Sequence, residues 1–141
     1  MTVTRIYVPL NASMLRSLDK LRALANAPFL AHAVTAAVRA EARAAGQDEW
    51  EYAALSDAVR SSAALLTSGE SRRIVAAGDV ESEVVGPPVS GSSIDESAVS
   101  ISEPVALNRI ASFHVDGDNS SEDDELLWYD VTELPAILAL L

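Results

Sequence analysis

The feature that most constrains the fold is the segment Asp48 to Gly69, DEWEYAALSDAVRSSAALLTSG, because one periodicity runs along its whole length. Asp48 and Glu51 match a capping box at its start, and Gly69 is placed to end a helix. Apolar or small side chains recur in it at spacings of three and four residues, which is typical of one helix face. That face consists of Leu55, Ala58, Val59, Ser62, Ala63 and Leu66. We therefore predict a long helix that packs against other elements of the chain.

Length and composition are typical of a single globular domain. The chain has 141 residues, 49% of them apolar, which is enough for one hydrophobic core. No apolar run reaches the roughly 20 residues of a membrane-spanning helix, and the first ten residues lack a signal-peptide pattern. Cysteine is absent and histidine occurs twice, which excludes disulfides and argues against a multi-histidine metal site. We predict a cytoplasmic protein with no cofactor, no bound metal and no membrane attachment.

Charge is divided unevenly along the chain. Residues 1–78 carry nine basic and seven acidic side chains, whereas residues 79–141 carry one basic and fourteen acidic side chains. The net charge is −13 in the second half and −11 overall. Such a surface repels nucleic-acid phosphates and anionic lipids, so we predict no binding to nucleic acid. It suits either a solubilising role or contact with a basic partner.

The start of the chain predicts a strand followed by a helix. Residues 4–10 alternate apolar and polar side chains like a half-buried strand. Pro9 indicates that this strand ends there or lies at a sheet edge. Asn11 or Ser13 can cap the helix that follows, and a stop signal begins at Asn26.

Residues 28–46 allow two interpretations. Thr35 is a good N-cap, which favours a short strand at 30–34 followed by a helix over 36–45. The alternative is one continuous helix with Pro28 in its first position. We prefer the strand followed by the helix.

The second half of the chain predicts mainly strands. They are expected over 72–80, 98–103, 109–116 and 126–131. The second and third of these are close enough in sequence to pair as an antiparallel hairpin. Two segments, 81–97 and 117–124, are expected to be mobile loops, and Thr132 can cap a last helix. The order of elements predicts a single α+β domain over 1–141, with helices packed on one face of a mainly antiparallel sheet.

Six stretches of the chain carry a family resemblance. They are RIYVP (5–9), AHAVT (31–35), EYAALSDAVRSSAALL (51–66), RRIVAAGDV (72–80), PVALNRIASFHVD (104–116) and ELLWYDVTELP (125–135). Together they resemble an uncharacterised actinobacterial family, a domain of unknown function. The resemblance implies a shared fold and supports the helix start at Thr35, but it brings no activity with it.

Six side chains can do more than pack in a core. They are His32, Glu51, Tyr52, His114, Trp128 and Tyr129. A histidine beside a carboxylate can act in general acid–base catalysis, and tryptophan with tyrosine can wall a small-molecule pocket. The sequence contains no triad spacing, phosphate-binding glycine loop or HExxH motif, so no catalytic residue is predicted.

The acidic loop supplies a second set of candidates. Asp116, Asp118 and Ser120 begin like a calcium-binding loop, but Ser121 replaces the required glycine and Leu127 the required glutamate. The loop is therefore not expected to bind calcium. Its run of four acids is a candidate for docking a basic protein partner: Glu122, Asp123, Asp124 and Glu125.

Two hypotheses about function follow, and they belong to different classes. The first is a non-enzymatic protein–protein interaction module whose acidic half faces a basic partner. The second is a small-molecule-binding domain or enzyme with a pocket near His32, Tyr52 and Trp128. A deep pocket with convergent polar groups is required by the second hypothesis and not by the first. The sequence leaves the oligomeric state open.

Overall fold

The computed structural model describes residues 2–88 and 95–141. The strands are β1 (Val3–Leu10), β2 (Ala23–Leu24), β3 (Phe29–Ala33), β4 (Ile74–Glu81), β5 (Val85–Gly86), β6 (Ala98–Ile101), β7 (Val105–Ala106), β8 (Ile110–Val115) and β9 (Leu127–Asp130). The helices are α1 (Ala12–Leu21), α2 (Ala36–Glu41), α3 (Gln47–Ala64) and α4 (Leu134–Leu138). Within these two ranges, no helix is long and apolar enough to cross a membrane.

Seven strands form one antiparallel sheet in the order β5-β6-β3-β1-β4-β8-β9, and β2 pairs separately with β7. This confirms the predicted single α+β domain with a mainly antiparallel sheet. The helices, however, cover both faces of the sheet. Ile6 packs in one core cluster with Leu15 of α1, whereas Tyr7 packs in another with Ala58 of α3. Because successive strand side chains point to opposite faces, an apolar central sheet needs cover on both sides.

The strand-plus-helix interpretation of residues 28–46 is confirmed. Thr35 Oγ1 accepts a hydrogen bond from the Val38 amide at 3.1 Å and caps α2, while β3 precedes it. Asn11 caps α1 in the same way, accepting from the Met14 amide at 2.9 Å. α1 ends at Leu21, because Arg22 adopts a left-handed backbone conformation with φ of 59°. The chain then enters β2 before it reaches the stop signal at Asn26.

Pro9 lies inside the central strand, so the prediction of a strand end or a sheet edge is wrong. β1 continues to Leu10 and pairs with β4 along its whole length. Ser82 N donates to Thr2 O at 3.0 Å, just before β1 begins. The backbone amide and carbonyl groups of the even-numbered residues of β1 therefore point to β4, and the nitrogen of Pro9 points away from it. The ladder between β1 and β3 stops at Tyr7, so the missing amide of proline costs no ladder bond.

α3 is the long helix that the sequence predicts, but its ends differ. Its N-cap is Gly46, which makes no side-chain bond, so the capping box of Asp48 and Glu51 is wrong. Gly69 has the expected positive φ of 87° but lies in the turn beyond the helix. The helix ends at Ala64, with Leu65 as its C-cap.

The buried face of α3 is also shifted from the predicted one. Its fully buried residues are Ala54, Ala58 and Ser62, whereas Leu55 and Val59 are half-buried and Ala63 is exposed. α3 packs across β1, β3 and β4. Small side chains at the contact let the helix backbone lie close to the sheet.

β6 and β8 do not pair, so the predicted hairpin is wrong. β6 pairs with β3 and β5 on one side of the sheet, and β8 pairs with β4 and β9 on the other. The segment between them contains β7, which pairs with β2. Alternating side chains identify a strand but not its partner.

β9 and α4 lie where the sequence predicts them, with a different cap. Asp130 accepts a hydrogen bond from the Thr132 amide at 2.9 Å, and Glu133 accepts one from the Asp130 amide at 3.0 Å. Asp130, and not Thr132, therefore begins the turn before α4.

The mobility of the two segments 81–97 and 117–124 stays a prediction. β5 falls within the first segment, and residues 89–94 lie outside the described residues.

Candidate functional site

A groove of about 460 Å³ runs between α3 and the β8–β9 side of the sheet. We call it the acidic groove. α3 contributes Tyr52, Leu55 and Val59, whose spacing of three and four residues puts them on one helix face. The strands contribute His114 and Trp128, and the loop before β9 contributes Glu122, Asp123, Asp124, Glu125 and Leu126. The groove thus unites three of the predicted binding residues with all four docking candidates.

Two aromatic side chains stay exposed at this groove. Tyr52 is 57% exposed and Trp128 is 61% exposed. Trp128 lies opposite His114 of β8, which in turn lies opposite Val75 of β4. Val75 belongs to the core cluster under α3, so this row of side chains puts Trp128 on the α3 face. Large exposed aromatic groups are characteristic of binding surfaces.

The position of the acidic loop is set by Arg73. Its guanidinium donates to the backbone carbonyls of Ser121 at 2.8 Å, Glu122 at 2.9 Å and Asp124 at 3.1 Å. The same group pairs with the buried carboxylate of Asp116. One buried cation therefore anchors the loop while leaving its acidic side chains outside.

All four acids of the loop are exposed. Glu125 accepts a hydrogen bond from the phenol of Tyr52 at 3.0 Å, which links the loop to α3 across the groove. Asp124 accepts from the Ser121 amide at 2.8 Å. Burial lowers the pKa of His114, with a further contribution from Arg5, so this histidine is neutral at pH 7 and does not offset the acids.

The other three predicted binding residues, Tyr129, Glu51 and His32, lie away from the groove. Tyr129 packs against the core cluster on the opposite face of the sheet, as expected for the neighbour of Trp128 on a strand. Glu51 is half-buried on α3 and accepts a hydrogen bond from Gln47 at 3.0 Å. Burial, with Glu51 nearby, raises the pKa of Tyr7 to about 12.

His32 belongs to a different cluster, with β1, β4 and β8 between its strand and β9. It is fully buried, and both ring nitrogens have partners: Nδ1 lies 2.8 Å from Ser97 Oγ and Nε2 lies 2.8 Å from Ser61 Oγ. Ser97 Oγ donates to Asp57 Oδ2 at 2.7 Å. Burial lowers the pKa of His32, which the nearby carboxylates of Asp57 and Asp95 partly offset.

His32, Asp57 and Asp95 also lie close enough together to form a possible metal-ion site. One ligand atom from each lies within 4.8 Å of the others. The guanidinium of Arg60, however, contacts Asp57 and lies 3.6 Å from Asp95. A guanidinium already pairs with both carboxylates, so the cluster does not point to a metal.

Several residues of these two clusters gave no usable sequence signal. Arg73 was visible only as one of two adjacent arginines, and its burial depends on Asp116, which lies far away in the sequence. Ser61 and Ser97 belong to no recognisable sequence motif. They become notable only because the fold brings α3 and the residue before β6 to opposite edges of one imidazole.

A comparison with protein families decides the classification. The model of a family of unknown function, DUF6912, matches residues 4–123. The chain belongs to this family. The match ends before β9 and α4, so Trp128 lies beyond the matched residues. No curated protein sequence and no solved structure gives a significant match.

Proposed function

We propose that this protein is a small interaction module that binds a basic segment of a partner protein in the acidic groove. The observation that carries the proposal is the placement of two exposed aromatic side chains, Tyr52 and Trp128, beside a rim of four consecutive acids. A partner segment with lysine or arginine next to an apolar side chain would satisfy both features.

Charge complementarity supports this choice of partner. Glu122 and Asp123 are exposed on the rim, and the two arginines that line the groove are already engaged by acids of the chain itself. Arg73 pairs with Asp116, and Arg60 pairs with Asp57. The groove therefore presents net negative charge, which attracts a basic segment and accelerates its association.

The aromatic pair supplies the short-range part of recognition. Tryptophan and tyrosine are enriched among the residues that dominate binding energy at interfaces. Their ring faces also attract ammonium and guanidinium groups, by roughly 0.5–2 kcal/mol per contact. Trp128 and Tyr52 are thus suited to hold the side chain that the acids draw in.

We further infer an actinobacterial source, a cytoplasmic location and no binding to nucleic acid. One lysine against nine arginines, with many alanines, suits a high-GC genome. The acidic second half repels phosphate backbones at any location.

The proposal can be tested with fluorescein-labelled peptides of one length, either rich in Lys/Arg with one Leu or with Glu in place of each basic residue. Fluorescence anisotropy should detect binding of the basic peptide alone, weakening as salt rises because exposed charges are screened over about 8 Å at physiological ionic strength. Trp128→Ala should weaken binding at least tenfold.

Two matched double variants separate the groove from general charge. Glu122→Lys with Asp123→Lys should abolish binding, whereas Glu83→Lys with Glu103→Lys makes the same change in net charge on exposed sites near β5 and β6 and should only slightly weaken it. Equal losses from the two doubles would refute the groove as the site. A metabolite whose binding needs Trp128 but ignores both doubles would instead favour the small-molecule hypothesis.

A further inference from the structure

The cluster around His32 has a defined order of protons. The carboxylate of Asp57 can only accept, so the single proton of the Ser97 hydroxyl points to it. Ser97 Oγ must then accept from His32 Nδ1, which carries the ring proton. His32 Nε2 is therefore unprotonated and accepts the proton of the Ser61 hydroxyl at 2.8 Å. This is the arrangement of a nucleophile, a base and the groups that orient the base.

We propose that Ser61 is a nucleophile activated by His32, and that it cleaves carboxylic esters with an apolar acyl group. Ser61 is half-buried near the end of α3 and lines a cavity, so a substrate in that cavity would meet Ser61 with His32 directly behind it. Ser97 and Asp57 act as positioning residues that hold the imidazole in the reactive tautomer. This site is separate from the acidic groove and does not depend on the proposed interaction.

The substrate class comes from the cavity that Ser61 borders. A second cavity of about 420 Å³ lies between α1, α3 and the adjoining ends of β1 and β3. Its wall is mainly apolar and includes Val8, Leu18, Phe29, Leu30 and Leu65. This volume falls in the range of small-molecule sites, about 300–1,000 Å³. An acyl chain would be buried here with its carbonyl carbon at the Ser61 end.

Burial keeps His32 neutral at pH 7, although two carboxylates face it. Burial and Arg60 lower its pKa, while Asp57 and Asp95 raise it. A neutral imidazole can take the Ser61 proton as the hydroxyl oxygen attacks.

The reaction balances with water as the only co-reactant. Ser61 Oγ bonds to the ester carbonyl carbon while its proton passes to His32 Nε2. The carbon–oxygen bond to the alcohol then breaks, and the alcohol leaves with the proton from His32. Water, deprotonated by His32, attacks the acyl-serine and releases the carboxylic acid, and the proton returns to Ser61.

Covalent labelling is the most direct test, because it needs only an activated hydroxyl. The full chain would be treated with an alkyl fluorophosphonate and the labelled peptide identified by mass spectrometry. We expect label on Ser61, and at least a tenfold loss with Ser61→Ala but not with Ser68→Ala, an exposed serine beyond α3. Hydrolysis of 4-nitrophenyl octanoate should exceed that of the acetate and fall to background in Ser61→Ala.

The positioning role of Ser97 has its own readout. Ser97→Ala should lower kcat at least tenfold with KM nearly unchanged, and should shift the pH dependence of kcat, since His32 loses the partner that fixes its tautomer. Circular dichroism would establish that each variant is folded. Labelling that is absent from Ser61, or hydrolysis that persists in folded Ser61→Ala, would overturn the proposal.

Discussion

Arg73 and Asp116 form a two-point ion pair inside the protein. Arg73 Nε donates to Asp116 Oδ2 and Nη2 donates to Oδ1, both at 2.8 Å. Both side chains are less than a tenth exposed. The pair ties the start of β4 to the end of β8 and, through the other bonds of Arg73, fixes the acidic loop. Its loss should therefore affect both stability and the groove.

Asp116→Ala should destabilise the fold by about 3–5 kcal/mol, because it leaves a buried guanidinium without its counter-charge. Asp19→Ala is the matched control, since Asp19 pairs with Arg22 on the surface of α1. That change should cost at most about 1 kcal/mol. Urea denaturation gives both values. Similar losses in the two variants would contradict the assigned importance of burial.

Gly78→Ala should destabilise the protein by roughly 1–3 kcal/mol through overpacking. The added Cβ would lie 2.6 Å from the backbone oxygen of Arg109, at the point where the β4–β8 register shifts. Gly86→Ala has open space around the new Cβ and should be neutral or stabilise by up to about 1 kcal/mol. Thermal melts would compare the two, and a Gly78→Ala protein as stable as the unmutated chain would disprove the close approach.

Ser62→Ala should lower the free energy of unfolding by about 1–3 kcal/mol, because it leaves two buried backbone groups without a hydrogen-bond partner. Ser62 Oγ donates to the Leu10 carbonyl at 2.6 Å and accepts from the Ile74 amide at 2.8 Å. It thereby completes the β1–β4 ladder at its end. Ser17→Ala on the exposed face of α1 should change stability by no more than about 0.5 kcal/mol. Urea denaturation would measure both variants. Indistinguishable midpoints would argue against Ser62 as the bridge between Leu10 and Ile74.

Stability should fall as pH drops below about 6.5, the ordinary pKa of histidine. Burial lowers the pKa of both His32 and His114, so the unfolded chain binds protons that the folded chain does not. Their contribution is complete above pH 6.5 and is lost progressively below it. His114→Gln should reduce the loss of unfolding free energy between pH 7.5 and 5.5. Comparing the variant with the unmutated chain cancels the effect of overall negative charge. An identical loss of unfolding free energy in both would count against a lowered pKa of His114.

The sequence predicts local features well where local chemistry decides them. Thr35 and Asn11 cap helices because their side chains reach amides three residues on, and that relationship is visible in any window of the sequence. The strands β1, β3, β4, β8 and β9 were found by alternation or apolar runs. Fold class follows from these elements and from their order.

Partners and faces could not be predicted in the same way. Whether β8 pairs with β6 or with β4 depends on contacts between distant segments, and alternation is the same in both cases. The predicted face of the long helix contains Ala58 and Ser62 but is centred too close to Leu55 and Val59, because close packing on the sheet favours small side chains and brings Ala54 inward instead. The candidate site was likewise predicted as one pocket, while the fold places His32 and Trp128 on strands that three others separate.

The pairing of β1 with β4 has a consequence for how the chain is made. Residue 3 lies opposite residue 81 and residue 10 opposite residue 74, so the two central strands meet only after everything between them has been synthesised. During translation β1 therefore emerges from the ribosome well before β4, the strand with which it pairs along its whole length. Sheets built from such distant contacts fold slowly and expose unpaired edges in the meantime. The edge of β1 that faces β4 is therefore fully paired only once residue 81 has emerged.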